Sequence, residues 1–340
     1  MNTVPKLADS RDLSHAFVSV IIPTYQSASV LPDAIESVLN QTQPADEVII
    51  VDDGSDDDTE AACHIFGDSI RLLRQANAGA SVARNTGIAS ARRTSSPSSV
   101  EKGDITETDH WLAFLDADDT WDRQKLELQF AALSQNPEAD FALSSVLAWS
   151  PHEQTYTEYR YVGPLDPDRM RAELLVRNIF SGLCSSILVR RDAIESVGCF
   201  AAGHGSEDRR LAIELLAEHR AVLVDLPLVR QRPGPAHWTD PQRQRREMLH
   251  LISDYEDLYK RLDPTGRLKR RARARVHERT GMHYLENGEL KAAANDLARA
   301  VFLRPWTPNP WRVLANACLG RLKLNKHVSP AKTTVATPTV

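Results

Sequence analysis

The segment Trp111-Leu-Ala-Phe-Leu-Asp116-Ala-Asp118-Asp119 constrains this chain more than any other, because an apolar run ends there in three carboxylates. The apolar part has the length and composition of a buried strand. Carboxylates crowded at a strand end repel one another unless a cation or hydrogen-bond donors satisfy them. Mg²⁺ and Mn²⁺ prefer oxygen ligands and often share them with phosphates. The segment therefore predicts a metal–phosphate site at the carboxyl end of a strand.

Strands and helices alternate through the first half of the chain. Predicted strands cover residues 18–22, 47–51, 71–75 and 111–115, and predicted helices cover residues 29–39, 56–66, 81–91 and 122–136. This alternation predicts an α/β fold with a doubly wound, mostly parallel sheet, in which ligands bind beyond the carboxyl ends of the strands. Pro23-Thr24-Tyr25 and Asp52-Asp53 follow the first two strands. We therefore expect three strand ends to meet at one ligand-binding edge.

The rest of the chain is predicted to add two strands and a helical extension. The strands cover residues 141–149 and 184–189, and helices cover residues 206–218 and 242–262. Residues 275–303 form a predicted helical hairpin that resembles a single tetratricopeptide-like unit, which has to pack on a neighbour because one unit cannot bury its own face. The predicted boundaries are an N-terminal tail at 1–14, an α/β domain at 15–240 with a flexible loop at about 94–110, a helical region at 241–323 and a disordered tail at 324–340.

Composition narrows the class of protein and its compartment. The formal net charge of −5 gives no reason to expect nucleic-acid binding. Four scattered cysteines without a CxxC pair favour a reducing compartment, and the first residues lack a secretory signal. No uninterrupted apolar stretch is long enough to span a bilayer. These features predict a cytoplasmic protein, and they leave open peripheral contact with the cytoplasmic face of the membrane.

The combined motifs resemble the family 2 inverting glycosyltransferases, which belong to the nucleotide-diphospho-sugar transferase superfamily and have the GT-A fold. The resemblance covers about residues 17–238 and rests on segments in the family's order and spacing: Val18-Ser-Val-Ile-Ile-Pro-Thr-Tyr25, Ser37-Val-Leu-Asn-Gln-Thr42, Val51-Asp-Asp-Gly-Ser55, Asn77-Ala-Gly79, Ala83-Arg-Asn-Thr-Gly87, Phe114-Leu-Asp-Ala-Asp-Asp119, Leu188-Val-Arg-Arg191, Val197-Gly-Cys-Phe200 and Glu207-Asp208. It implies transfer of a sugar from a nucleotide-diphosphate sugar, with inversion at the anomeric carbon.

The resemblance also implies roles for individual residues. Pro23, Thr24 and Tyr25 would line the nucleotide pocket, and either Asp52 or Asp53 would read the base, typically uracil. Arg84 and Asn85 would lie close to the nucleotide or support the loop beneath it. Asp116, with Ala117 beside it, would contact the ribose or the metal. Asp118 would bind the Mg²⁺ or Mn²⁺ ion that bridges the phosphates, and Asp208 would be the general base with Glu207 beside it on the donor.

The residue types suit this chemistry. A nucleotide-diphosphate leaving group gains negative charge, which a held cation stabilises. An acceptor hydroxyl needs a positioned carboxylate to take its proton. The expected partners are a nucleotide-diphosphate sugar, with a UDP-sugar as the expected donor, and a glycan or lipid-linked acceptor in polysaccharide, lipopolysaccharide or glycoconjugate biosynthesis. The basic run at 267–279 is interpreted first as a solvated helix face and second as a contact with anionic lipid. The C-terminal helices also leave room for an oligomer.

Several alternatives stay open from the sequence. The residues after Asp208 are Arg209 and Arg210, where relatives often carry an aromatic, so the acceptor contacts are not defined. Arg230, Arg232 and His237 are three candidates for closing over the diphosphate. The alternative function is a non-catalytic protein that binds a nucleotide sugar or serves as a scaffold, with a degenerate transferase domain and a helical partner module. A nucleotidyltransferase is disfavoured because the first strand is followed by Pro23-Thr-Tyr-Gln-Ser27 rather than a Gly-rich, basic loop.

Overall fold

The computed structural model describes residues 10–92, 110–150, 155–163, 165–180, 182–203, 205–232, 241–306 and 311. Its strands are β1 Phe17–Thr24, β2 Glu47–Asp52, β3 Arg71–Arg74, β4 His110–Phe114, β5 Thr120–Trp121, β6 Phe141–Ser150, β7 Thr155–Tyr159, β8 Leu188–Arg190 and β9 Ala221–Gln231. Its α-helices are α1 Leu31–Leu39, α2 Thr59–His64, α3 Ala80–Ser90, α4 Lys125–Gln135, α5 Pro167–Leu174, α6 Leu183–Ser186, α7 Arg191–Ser196, α8 Glu207–Glu218, α9 Pro241–Asp254, α10 Glu256–Leu262, α11 Arg267–Glu286 and α12 Leu290–Leu303.

A nine-stranded sheet organises the described residues, in the order β3-β2-β1-β4-β8-β6-β9-β5 with β7 paired to β6. The strands β3, β2, β1 and β4 are parallel neighbours. Their carboxyl ends therefore meet at one edge, which is the edge that the sequence predicts. Beyond β4 the sheet is mixed, because β8 runs antiparallel to both β4 and β6 while β6 and β9 are parallel.

The central strands are unbroken apolar runs because successive side chains pack alternately on the two covered faces of the sheet. In β1, Ile21 packs into the hydrophobic cluster on one face of the sheet, while Val20 and Ile22 pack into the cluster on the other face. All three side chains are fully buried. A strand covered on both faces needs apolar residues at every position, as parallel sheets in α/β proteins do.

The predicted strand at 184–189 is wrong in its first half. Residues Leu183–Ser186 form the helical turn α6, and only Leu188–Arg190 forms a strand, β8. Gly182 precedes the turn with a φ of 61°, a left-handed conformation that glycine adopts readily. A single turn is too short to show helical periodicity, so the apolar and small residues there resemble a buried strand. No strand was predicted from the sequence where β9 lies, at Ala221–Gln231.

The C-terminal helices share a core with the α/β part of the chain. The predicted single helix at 242–262 is interrupted at Tyr255 and forms α9 and α10. The hydrophobic cluster that contains Ile21 continues to Leu251, Tyr259 and Val276, so burial does not stop at the predicted boundary near residue 240. The hairpin of α11 and α12 also packs on α9, where Arg245 makes a 3.0 Å ion pair with Asp296.

Most of the predicted loop at 94–110 and the whole tail at 324–340 lie outside the described residues, although His110 is the first residue of β4. No described helix combines the length and apolar character needed to cross a membrane.

Candidate functional site

Three strand ends form the first part of the candidate site, which we call the donor edge: residues 23–25, 52–53 and 116–119. Pro23 pairs with Val51 and Thr24 pairs with Asp52 across β1 and β2. On the other side of β1, the Leu115 N–H donates to the Ile21 carbonyl at 3.1 Å. The carboxylate segment after β4 therefore begins beside the end of β1. Tyr25 is 47% exposed at this edge, and its ring is available for stacking.

Asp52 and Asp53 are the buried aspartates of the donor edge. One Asp53 oxygen accepts from Gln75 Nε2 at 2.7 Å and from the Ala78 N–H at 2.9 Å, while the other accepts from the Gly79 N–H at 2.8 Å. Asp52 Oδ1 accepts from the Ser55 N–H at 2.9 Å. Asp52 Oδ2 and Thr24 Oγ1 are buried atoms without a hydrogen-bond partner among the described residues. Asp53 therefore holds the 75–79 loop, while Asp52 Oδ2 lies 3.6 Å from Arg74 Nε in an ion pair.

The helical turn α6 holds the segment of carboxylates after β4. Ser185 Oγ accepts from the Asp116 N–H at 3.1 Å and donates to Asp119 Oδ2 at 2.6 Å. The Ser185 carbonyl accepts from the Trp121 indole N–H at 2.7 Å. Asp119 also accepts from Gln231 Nε2 at 3.4 Å. Asp119 is thus a buried structural carboxylate, whereas Asp116 and Asp118 are partly exposed.

The electrostatics of this segment favour a bound cation. Burial and the charge of Asp116 raise the pKa of Asp118, and Arg232 only partly opposes the shift. Burial and the same neighbour raise the pKa of Asp119 well above its ordinary value. Raised carboxyl pKa values mean that the ionised forms are destabilised, and a positive charge placed among them would relieve this.

Arg84 joins the donor edge to a second set of carboxylates. This α3 side chain is 4% exposed, and its Nη2 donates to Asp116 Oδ1 at 2.5 Å. Its Nη1 lies 3.6 Å from Glu207 Oε1, and the guanidinium carbon lies 5.2 Å from the centre of the Phe200 ring. The neighbouring Asn85 is bonded to the backbone of Phe200 in both directions, at 2.8 and 3.0 Å. Asn85 therefore supports the loop before α8.

Helix α8 begins with Glu207 and with Asp208, the predicted general base. Asp208 accepts from Asn178 Nδ2 at 3.0 Å and from the Arg209 N–H at 2.6 Å. Burial, followed by the charge of Glu207, raises the pKa of Asp208 to about 6. A carboxylate with this pKa is largely ionised at neutral pH, yet it is a stronger base than an ordinary aspartate. We call Glu207, Asp208 and Asn178 the base side of the site.

The arginines whose roles could not be assigned from the sequence fall into two groups. Arg209 is bonded to the Leu174 carbonyl and Arg210 to Asp254, so both buried side chains hold α8 against its neighbours. Arg232 pairs with Asp33 and acts on Asp118, while the Arg230 guanidinium lies 5.0 Å from the Tyr156 ring. Of Arg230 and Arg232, only Arg232 is thus seen to act on the carboxylate segment. His237 lies outside the described residues.

The residues present fit a divalent cation shared with a phosphate-bearing ligand. Within the described ranges, no group of three or more His, Cys, Asp or Glu side chains is arranged to hold a metal ion. Mg²⁺ is, however, usually bound by one or two carboxylates together with substrate phosphates and water. Asp116 and Asp118 supply such a pair, and Asp118 receives no side-chain hydrogen bond in the described part of the chain.

Ser185 and Asn178 were not predicted as site residues from the sequence. Ser185 lies in a segment whose structure was predicted wrongly, and it acts on residues 66 and 69 positions away. Asn178 lies 30 positions from Asp208. No local sequence signal marks either of them.

Comparison with known proteins gives the family. The family model described as "Glycosyl transferase family 2" matches residues 19–198, which is more than half of the chain. The chain belongs to glycosyl transferase family 2. Glu207 and Asp208 lie just beyond the matched residues.

Curated relatives carry consistent names. An uncharacterized glycosyltransferase of Haemophilus influenzae is 29% identical over 59% of this chain and 62% of its own length. A PGL/p-HBAD biosynthesis glycosyltransferase of Mycobacterium bovis is 30% identical over 53% and 61%. The Escherichia coli UDP-Glc:alpha-D-GlcNAc-diphosphoundecaprenol beta-1,3-glucosyltransferase WfgD is 36% identical over 35% and 42%. The chain thus spans less than two thirds of the length of each of these relatives.

Solved structures agree on the fold. The mannosyltransferase PcManGT from Pyrobaculum calidifontis, in complex with GDP-Man and Mn²⁺, has a TM-score of 0.56 at 19% identity and covers 91% of this chain and 81% of its own. TarS 1-349 of S. aureus, in complex with UDP-GlcNAc, has a TM-score of 0.55 at 15% identity and covers 89% and 87%. The predicted family and GT-A fold are confirmed.

Proposed function

We propose that this protein is a metal-dependent, inverting glycosyltransferase. It moves a sugar from a nucleotide-diphosphate sugar, with a UDP-sugar as the expected donor, to an acceptor hydroxyl in polysaccharide, lipopolysaccharide or glycoconjugate biosynthesis. The observation that carries the proposal is the Arg84 bridge between Asp116 and Glu207. This bridge links the donor edge and the base side through one buried side chain.

The donor edge supplies the binding groups. Pro23, Thr24 and Tyr25 would line the nucleotide pocket, and Asp52 or Asp53 would read the base. Asp52 Oδ2 lies 3.6 Å from Arg74 Nε and makes no hydrogen bond among the described residues, whereas both Asp53 oxygens accept from the 75–79 loop. Asp118 and Asp116 would hold the divalent cation. Such a cation supplies positive charge for the diphosphate leaving group. Arg84 would keep the Asp116 carboxylate fixed in place, since its guanidinium is itself buried.

The base side supplies the proton acceptor. Asp208 would take the proton of the acceptor hydroxyl as that oxygen attacks the anomeric carbon. A single base and a single displacement give inversion, so no enzyme carboxylate has to attack the sugar. The names of the relatives support the substrate class: WfgD is named for UDP-Glc, and the TarS and PcManGT structures hold UDP-GlcNAc and GDP-Man.

The location and partners of the chain are part of the same proposal. Cys63, Cys184 and Cys199 are free thiols, which favours a reducing compartment such as the cytoplasm. Arg267, Arg270 and Arg273 are exposed on α11, where they could meet anionic lipid near a lipid-linked acceptor. Leu290 and Phe302 are exposed on α12, which suits a role of the C-terminal helices in an oligomer. The domain boundary near residue 240 also remains a proposal.

The test is a panel of UDP- and GDP-sugars, scored by thermal stabilisation with Mn²⁺, with Mg²⁺ and with EDTA. We expect one donor to stabilise the protein only when metal is present, and then to be transferred or hydrolysed. Metal-dependent binding without any turnover would favour the non-catalytic alternative. The absence of any stabilisation would contradict both functions.

A further inference from the structure

The loop after α5 contains an exposed asparagine that faces the proposed base. Asn178 Nδ2 lies 3.0 Å from Asp208 Oδ2, and Asn178 Oδ1 accepts from the Phe180 N–H at 3.1 Å. A backbone N–H can only donate, so the oxygen of this amide has to face Phe180. The amide NH₂ group then has to face Asp208. The orientation of Asn178 is therefore set by its own loop and not by the carboxylate.

We propose that Asn178 is a positioning residue that fixes the orientation of the Asp208 carboxylate and favours its ionised form. This inference rests on the proposed function for its catalytic meaning. An ionised carboxylate accepts a hydrogen bond more strongly than a protonated one, so a fixed donor stabilises the state that takes a proton. Among the described residues, the second Asp208 oxygen accepts from the adjacent Arg209 N–H.

The C-terminal helices hold the loop that carries Asn178. The Tyr259 hydroxyl of α10 donates to the Leu175 carbonyl at 2.5 Å. Arg271 of α11 makes two bonds to the Glu173 carboxylate, at 2.8 and 3.1 Å. Both contacts fix the end of α5, immediately before Asn178. The helical extension thus contributes to the base side through a short chain of contacts.

The other groups facing Asp208 are few and identifiable. Glu207 and Arg209 come from α8, with opposite effects on the Asp208 carboxyl. Cys184 faces it from α6, and burial raises the pKa of that thiol well above its usual range, so it stays neutral. These groups are all retained in the Asn178 variants, so a change in the Asp208 titration reports the loss of the amide.

The test is a pH titration of the Asp208 side-chain carbon by NMR, with the signal assigned by its loss in Asp208→Asn. We expect Asn178→Ala to raise the titration midpoint by about one pH unit, as the loss of one charge-assisted hydrogen bond predicts. Asn178→Asp should raise it further, because the donor is replaced by a like charge. Tyr259→Phe should give a smaller rise. The matched control is Asn40→Ala, whose amide donates to the Glu36 carbonyl at the end of α1 and leaves the midpoint unchanged.

An unchanged midpoint in both Asn178 variants would overturn the inference, because a merely structural asparagine would not move it. The acid limb of sugar transfer should shift by the same amount as the midpoint. The proposed function is tested separately: if Asp208→Asn retains full transfer, the base assignment fails even where Asn178 does control the titration.

Discussion

The donor edge and the base side are built in different ways. The donor edge consists of short runs of adjacent residues that leave neighbouring parallel strands, so the sheet itself brings them together. The base side depends on side chains that meet across long stretches of sequence, such as Asn178 with Asp208. Arg84 contacts both regions, through Asp116 and Glu207. Strand topology thus positions the donor edge, and individual side-chain contacts position the proposed base.

Replacement of the base should give the largest effect. In Asp208→Asn we expect transfer to fall by about 10²- to 10⁴-fold, since the acceptor hydroxyl loses its proton acceptor. The measurement is initial transfer rate at saturating donor. Asp225→Asn is the matched control, because Asp225 is an exposed residue of β9 that pairs with Arg160. An Asp208→Asn rate close to wild type would remove the base side from the catalytic site.

Removal of the metal should act on the donor edge alone. With donor at about 100 times its Kd, binding stabilises the folded state by about 2.7 kcal/mol. We expect EDTA to abolish this stabilisation, because the Asp116 and Asp118 carboxylates would then face the diphosphate without a cation. The measurement is the shift in Tm with and without donor, and re-addition of Mn²⁺ serves as the control. A donor-dependent shift that persists in EDTA would contradict the proposed metal site.

The pH dependence of transfer should report the base side. Asp208 has a pKa raised to about 6 and has to be ionised to accept a proton. Transfer should therefore be constant well above pH 6 and fall by about tenfold per unit below it. Donor binding measured over the same range separates this effect from loss of the substrate. A plateau that extends to pH 5 would show that Asp208 is not the titrating base.

Replacement of two adjacent serines should distinguish support of the Asp119 carboxylate from ordinary packing within α6. Ser185→Ala leaves the buried Asp119 carboxylate without its 2.6 Å donor, whereas Ser186→Ala removes a 3.2 Å bond to the Leu183 carbonyl within the same helical turn. Denaturant unfolding should show a loss of about 2 kcal/mol for Ser185→Ala and about 1 kcal/mol or less for Ser186→Ala. Equal losses would mean that α6 does not specifically support the carboxylate segment.

The comparison also explains how much was predictable from the sequence. The ends of β1, β2 and β4 were located to within two residues, because apolar runs that end in polar residues mark where buried strands stop. The turn α6 was predicted as a strand, since its single turn has no periodicity and its small residues suit either structure. Arg84, which the resemblance put close to the nucleotide or beneath its loop, is buried between two carboxylates. Helical spacing cannot reveal this, because the partners of Arg84 come from other elements.

The most direct test of the two-region site is calorimetric titration of the donor with Mn²⁺ into Asp118→Asn and Asp208→Asn, side by side. We predict that Asp208→Asn binds the donor with close to wild-type affinity, because the proposed role of this carboxylate is to take the proton of the acceptor and not to hold the donor. Asp118→Asn should lose at least about tenfold in affinity, as loss of a metal contact implies. Equal affinities in the two variants, whether both retained or both lost, would contradict the division of the site into a donor edge and a base side.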